Sequence, residues 1–283
     1  MPIPRFPFTP SIAAAILALA TLSGCDRRTA DQLVEEGQRL AEAGQLDEAE
    51  KILRKAGKKD AHAEHLHLTL GAIYVLREDS PHAIEELKKA VEDAPQDADS
   101  WDYLGIALAD ADQPRPALEA FKRAILNDPE DDTAYSWLVS LYDDAGDYDS
   151  AIEAGRKLVK LTPDDADAWN ELAWEFCQSQ AFGKCLETVT ESIRLDAKNA
   201  DSQDTLGVAL QGLGRLEEAI NAYNVALAIA PDELDTLEHL GSALAAAGRT
   251  DAVRDTADRI EKLDKERGAA FREQYLDVSG HSA

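Results

Sequence analysis

A period of 34 residues constrains this chain more than any other feature. Aligned on the small residue of each second helix, seven units begin at Ala30, Glu64, Ala98, Asp132, Ala166, Ala200 and Leu234, with no insertion between them. Each unit carries apolar residues at helical spacing in two stretches of about 13 residues joined by a tight turn. Such a hairpin cannot bury its apolar stripe alone, and stacked hairpins can. Within the third unit the pattern reads Trp101, Leu104, Gly105, Leu108, Ala117, Phe121, Ala124 and Pro129. Small residues let helices approach, and large ones fill the holes beside them.

The pair Leu-Gly recurs at Leu70-Gly71, Leu104-Gly105, Leu206-Gly207 and Leu240-Gly241. The small residue of the second helix is Ala49, Ala83, Ala117, Ala151, Cys185, Ala219 or Val253, and Pro95, Pro129, Pro163 and Pro231 end units. In these residues the chain resembles the tetratricopeptide repeat (TPR) family over 30–267. The resemblance implies an all-α, right-handed α-solenoid of seven 34-residue helix-turn-helix repeats (30–63, 64–97, 98–131, 132–165, 166–199, 200–233 and 234–267). A capping helix and tail follow over 268–283. In the fourth repeat Val139 and Gly155 exchange the large and small positions, which reads as a packing variant.

The first 24 residues differ from the rest. Ser11 to Leu22 is a short apolar run, about half of the ~20 residues that cross a bilayer. It reads as the core of a secretory signal. Leu22-Ser23-Gly24-Cys25 resembles the lipobox of bacterial lipoproteins, which implies cleavage before Cys25 and its acylation, with 25–29 as anchor and linker. The chain is then expected to be lipid-anchored in the cell envelope and to face the periplasm. Asp26 resembles the signal for retention at the inner membrane; the outer membrane stays open.

The net charge of −26 argues against nucleic acid as a partner. No nucleophile–base set, phosphate loop or cofactor motif is present, so neither an enzyme nor a cofactor is expected. His62, His65 and His67 cluster, but their repeat positions should point them apart, and no metal site is expected. Cys177 and Cys185 flank one interhelical turn. Cys185 occupies a small-residue slot, so both are expected as free thiols; a disulfide is the alternative if their Cα atoms come within about 7 Å.

In TPR proteins ligands usually meet first-helix positions 2, 5, 6, 9, 12 and 13. Of the 42 such residues here, fourteen are acidic and none is Lys or Arg. Five of the acids are at position 2, where a helix amino terminus favours them anyway. The expected partner-binding groove comprises Asp102, Tyr103, Ile106, Asp110 and Trp137, then Asp143, Asp144, Asn170, Glu171, Trp174 and Asp204. Aromatic anchors between acidic walls suit a basic or apolar segment of a protein. The function expected is an envelope scaffold or adaptor. In plan it resembles lipoproteins that assist pilus or secretion assembly, or that recruit peptidoglycan enzymes and proteases. The alternatives are a small-molecule or glycan binder using the same groove, and a cytosolic adaptor if Cys25 is not acylated.

Overall fold

The computed structural model describes residues 28–276. The signal, the lipobox, Cys25, Asp26 and the tail from 277 lie outside the described residues. Fifteen α-helices form in this region, and no other regular element appears among the described residues. None of these helices is long and apolar enough to cross a membrane.

The helices divide into two compact units. The first, ending at Trp137, holds α1 (Ala30–Glu42), α2 (Leu46–Lys59), α3 (Leu66–Leu76), α4 (Ser80–Asp93), α5 (Ala98–Asp110), α6 (Pro114–Asn127) and the start of α7 (Asp132–Asp144). The second, from Leu138, holds the rest of α7, then α8 (Tyr148–Leu161), α9 (Ala166–Gln178), α10 (Phe182–Leu195), α11 (Ala200–Gly212) and α12 (Leu216–Ile229). It closes with α13 (Leu234–Ala246), α14 (Thr250–Leu263) and α15 (Lys265–Tyr275). In both units the helices pair as antiparallel hairpins, and each hairpin packs on the next.

Local chemistry sets the boundaries. Thr29 and Gln32 form a reciprocal capping box at α1, while Asp97, Asp147 and Asn199 accept from backbone N–H groups at the starts of α5, α8 and α11. Proline in the first turn starts α4 and α6. Every hairpin turns through a left-handed residue, and these residues are one period apart: Gly44, Glu78, Asp112, Gly146, Gln180, Gly214 and Gly248. Three of the seven are not glycine, at a cost of about 1–2 kcal/mol each. α3 departs from the frame. It begins at Leu66 rather than Glu64, after a left-handed His65 (φ 58°).

The Leu-Gly signature has a direct packing explanation. A Cβ on Gly105 would lie 2.7 Å from the Phe121 ring, and one on Gly207 would lie 2.3 Å from that of Tyr223. The large residue of the second helix therefore sits on the glycine of the first, and Phe121 and Tyr223 are fully buried. Each such side chain contributes about 1.5–3 kcal/mol of apolar burial. In the fourth repeat the space beside Gly155 is taken by Leu172 of α9, whose side chain would stand 3.2 Å from a Cβ at that glycine. In the seventh, Phe271 of α15 sits on Gly241. The capping helix thus supplies the large residue that the hairpin's own Ala257 cannot. Consecutive repeats are also tied by Trp101 and Trp169, whose indole N–H groups donate to the carbonyls of Pro95 and Pro163, both at 2.9 Å.

Cys177 and Cys185 are joined in a disulfide, contrary to the expectation of free thiols. Cys177 lies in the last turn of α9 and Cys185 in the first turn of α10. The short turn between them holds the Cα atoms 5.3 Å apart, within bridging range. The small-residue slot of Cys185 is what lets α10 come so close.

Candidate functional site

The expected groove residues separate into three groups. The first leaves the surface. Asp102, Tyr103 and Ile106 on α5 are only 9%, 5% and 4% exposed, so they are corrected from partner contacts to interior residues. Their repeat positions predict an outward face; in α5 those positions are covered. Asp102 is also corrected as a charged wall. Burial, and then the adjacent carboxylates of Asp131 and Asp99, push its pKa up to about 10, so it stays protonated at neutral pH. The hydrogen bond between Asp102 and Asp131 contributes to that rise; Oδ1 of Asp102 and Oδ2 of Asp131 are buried with no other partner. Trp137 is half-buried and stacks on Phe121, with ring centroids 5.6 Å apart and planes 9° apart. It serves as a wedge between helices.

The second group is exposed. Asp110 and Asp144 stand at the ends of α5 and α7. Burial of its carboxyl, and then the charge of Glu78, raise the pKa of Asp110.

The third group comes together. Asn170 and Trp174 of α9 and Asp204 of α11 line one cleft of about 220 Å³, with Asp201, Thr205, Glu233, Asp235, Thr236 and His239. The repeat explains why they meet: residues at positions 2, 5, 6 and 9 of successive first helices share one side of the stack. Asn199 caps α11 and also donates to Asp167 at 2.6 Å, while the Ser192 hydroxyl donates to the Ala166 carbonyl at 2.6 Å. These contacts fix the starts of α9 and α11, which carry the cleft.

The electrostatics of the cleft are one-sided. Burial raises the pKa of Asp201, and the charges of Asp167 and Asp204 raise it further. His239 donates from Nδ1 to the Asp204 carboxylate at 2.9 and 3.1 Å. Burial opposes the imidazolium, but the Asp204 hydrogen bond and the nearby charges prevail and raise its pKa. Arg267 of α15 takes Asp235 at 2.5 Å and Glu238 at 2.7 Å. The lining therefore carries four carboxylates against His239, with Arg267 behind one of them. The Trp174 ring approaches His239 at 6.4 Å, and its indole N–H donates to Asp143. Burial and Asp144 raise the Asp143 pKa against that hydrogen bond. Oδ1 of Asn170 is buried with no hydrogen-bond partner.

Glu175 lies on the adjoining side of Trp174. It is 2% exposed, and burial followed by the charges of Asp143 and Glu171 pushes its pKa up to about 8. Glu171 and Asp143 thus belong to the packing behind Trp174 rather than to the cleft.

Chemically, the cleft is built to take a cation. Carboxylates and an indole face supply ion pairs and a cation–π contact. Sequence reasoning passes over His239 as one of several scattered histidines. A signal for it exists: it holds position 6 of its repeat, opposite position 5 of the preceding one. Among the described residues, other histidines pair elsewhere. His62 meets Asp93 at 2.7 Å, and His67 meets Glu86 at 2.6 Å and the Ala61 carbonyl at 2.9 Å.

Models of the Tetratricopeptide repeat match residues 40–104, 104–174 and 200–233. No functionally curated protein matches the chain. Among solved structures, the C-terminal part of a TPR repeat-containing protein from Cytophaga hutchinsonii is 14% identical, with TM-score 0.67 over 84% of this chain and 98% of that one. Pseudomonas aeruginosa PilF is 16% identical, with TM-score 0.62 over 75% of this chain and 95% of its own. YrrB, described as a TPR protein with an unusual peptide-binding site, is 18% identical, with TM-score 0.53 over 69% of this chain and 100% of its own. At these identities the likeness is one of fold.

Proposed function

Because this chain belongs to the tetratricopeptide repeat family, we propose that it is a non-enzymatic scaffold that holds a basic segment of a protein partner in the cleft of α9, α11 and α13. The observation that carries this reading is the clustering of Asp201, Asp204 and Glu233 around Trp174. A Lys or Arg side chain of the partner fills the cleft, and flanking residues run along α9 and α11. The peptide-binding site named for YrrB gives a parallel for this mode within the same fold.

The scaffold is anchored by acyl groups on Cys25 and works in the cell envelope, facing the periplasm. The Cys177–Cys185 bridge supports this, since disulfides persist in oxidising compartments.

The test is affinity capture from detergent-solubilised membranes. Trp174→Ala with Asp204→Asn should lower recovery of the main partner more than about tenfold, or ~1.4 kcal/mol, while the far-ultraviolet helical signal persists. Undiminished recovery would move the site elsewhere. Incorporation of labelled fatty acid should disappear in Cys25→Ser; retained label would remove the anchor.

A further inference from the structure

A second cleft, of about 460 Å³, opens about a third of a turn around α9 from the first. Trp169 and Phe176 line it from α9, Arg156 from α8, and Lys184 and Thr188 from α10. Unlike the acidic cleft, it has as many Lys and Arg side chains in its lining as carboxylates. The guanidinium carbon of Arg156 and the ammonium of Lys184 each lie 5.6 Å from the centre of the Phe176 ring.

The repeat supplies an internal control. Three periods earlier, at the junction of the first two repeats, Arg54 occupies the position of Arg156. There its guanidinium donates to Glu50 at 2.7 Å and to the Tyr74 hydroxyl at 2.6 Å, and Arg77 donates to the same Glu50 at 2.5 Å. That site is closed by its own ion pairs, and the Arg77 hydrogen bond chief among them holds Glu50 down at a pKa of about 2. At the later junction Ile152 stands where Glu50 does, Phe176 where Tyr74 does and Ser179 where Arg77 does. Each change removes one member of that closed network. What remains is a cation over an aromatic ring beside a cavity, joined by Lys184 from the next helix.

Two carboxylates share the lining, Glu187 and Glu191. They equal Arg156 and Lys184 in number, and Arg194, which lies outside the lining, takes Glu191 at 2.7 Å. Cys177 and Cys185 directly follow Phe176 and Lys184 in sequence. Their bridge therefore fixes the ammonium-bearing turn against the ring-bearing one.

We propose that this cleft is a binding site for a small aromatic carboxylic acid. The carboxylate pairs with Arg156 and Lys184, the ring lies against Trp169, and an N–H on the ligand donates to Glu187; Phe176, buried beneath the two cations, holds them in place. The volume falls in the range of small-molecule sites. The site is distinct from the acidic cleft, so its failure leaves the scaffold reading intact.

The probe is N-acetylphenylalanine, titrated against the full chain by isotope-edited NMR of the Trp169 indole. The acid should bind saturably with millimolar or tighter affinity. Its uncharged amide and the ring-free N-acetylalanine should each bind at least about fivefold more weakly, each testing one half of the site. Arg156→Ala with Lys184→Ala, both exposed side chains, should weaken the acid about tenfold or more with the helical signal unchanged. Arg54→Ala, at the closed junction, should leave it unaltered. Equal binding of acid and amide, full affinity in the double variant, or no saturation by the acid would each overturn the proposal.

Discussion

One helix, α9, forms a wall of two clefts with different chemistry. On the side of Asn170 and Trp174 the neighbouring residues are Asp201, Asp204 and Glu233; on the side of Trp169 and Phe176 they are Arg156 and Lys184. Both sides keep an aromatic ring, so apolar contact does not distinguish them. Charge does, and it comes from different neighbours. α11 and α13 supply acids to the first; α8 and α10 supply cations to the second, where α10 also adds Glu187 and Glu191. A repeat therefore fixes where the rings stand and leaves their electrostatic setting to the helices on either side.

That contrast breaks most sharply under charge reversal. Asp204→Lys with Trp174→Ala should weaken a Lys-rich peptide about a hundredfold, or ~2.7 kcal/mol, by calorimetry, because it removes an anchor and adds a like charge. The same variant should bind N-acetylphenylalanine normally. Loss of both ligands together would mean that the two sides of α9 are one site.

The disulfide separates them in a second way. Cys177→Ser with Cys185→Ser should lower stability toward urea by about 2–3 kcal/mol, the range for a short closed loop. It should weaken the aromatic acid severalfold and the peptide less, since Phe176 and Lys184 adjoin the bridge directly, whereas the acidic cleft meets it through the Thr205 carbonyl alone, 4.0 Å from the Cys177 sulfur.

Acids behave differently again where they are buried. Unfolded chains release carboxyl protons near pH 4, whereas the folded chain holds those of Asp99, Glu175 and Asp102 until about pH 6, 8 and 10. Their contribution is present below the unfolded values and is lost as pH rises through the folded ones. Urea midpoints should therefore fall from pH 5 to pH 9. Asp102→Asn should raise the midpoint at pH 8 by the equivalent of about 1–2 kcal/mol and leave peptide affinity unchanged. A midpoint that rises over this range would contradict the burial of these groups as protonated acids.

The smallest effect expected is on the pH dependence of peptide binding. The raised pKa of His239 leaves a competing cation in the acidic cleft at low pH, and raised Asp201 is less ionised there. Affinity for the Lys-rich peptide should rise about three- to tenfold from pH 5 to pH 8. His239→Gln should flatten part of that rise, and added salt should lower affinity throughout.

The architecture was legible because the large and small residues repeat in register over 30–267. Phe121 on Gly105 and Tyr223 on Gly207 are the contacts that the Leu-Gly signature encodes. The site was legible in part. The groove positions pick out Asn170, Trp174 and Asp204, whereas the same rule also picks Tyr103 and Ile106, which α5 buries. A position number gives direction around a helix; whether that direction is open depends on the sizes of the side chains facing it. The second cleft escaped the sequence reading for a related reason. Arg156 looks ordinary until Ile152, Phe176 and Ser179 are set against the partners of Arg54. The bridge was missed because the small-residue slot of Cys185 explained its burial without requiring a partner.

The most direct test uses the four tryptophans as reporters of separate places. In an indole-region NMR spectrum assigned by Trp→Phe variants, a Lys-rich peptide should shift the Trp174 signal and leave Trp101 and Trp169 in place. A peptide that binds while Trp174 stays unmoved would contradict the assignment of the acidic cleft as the partner site.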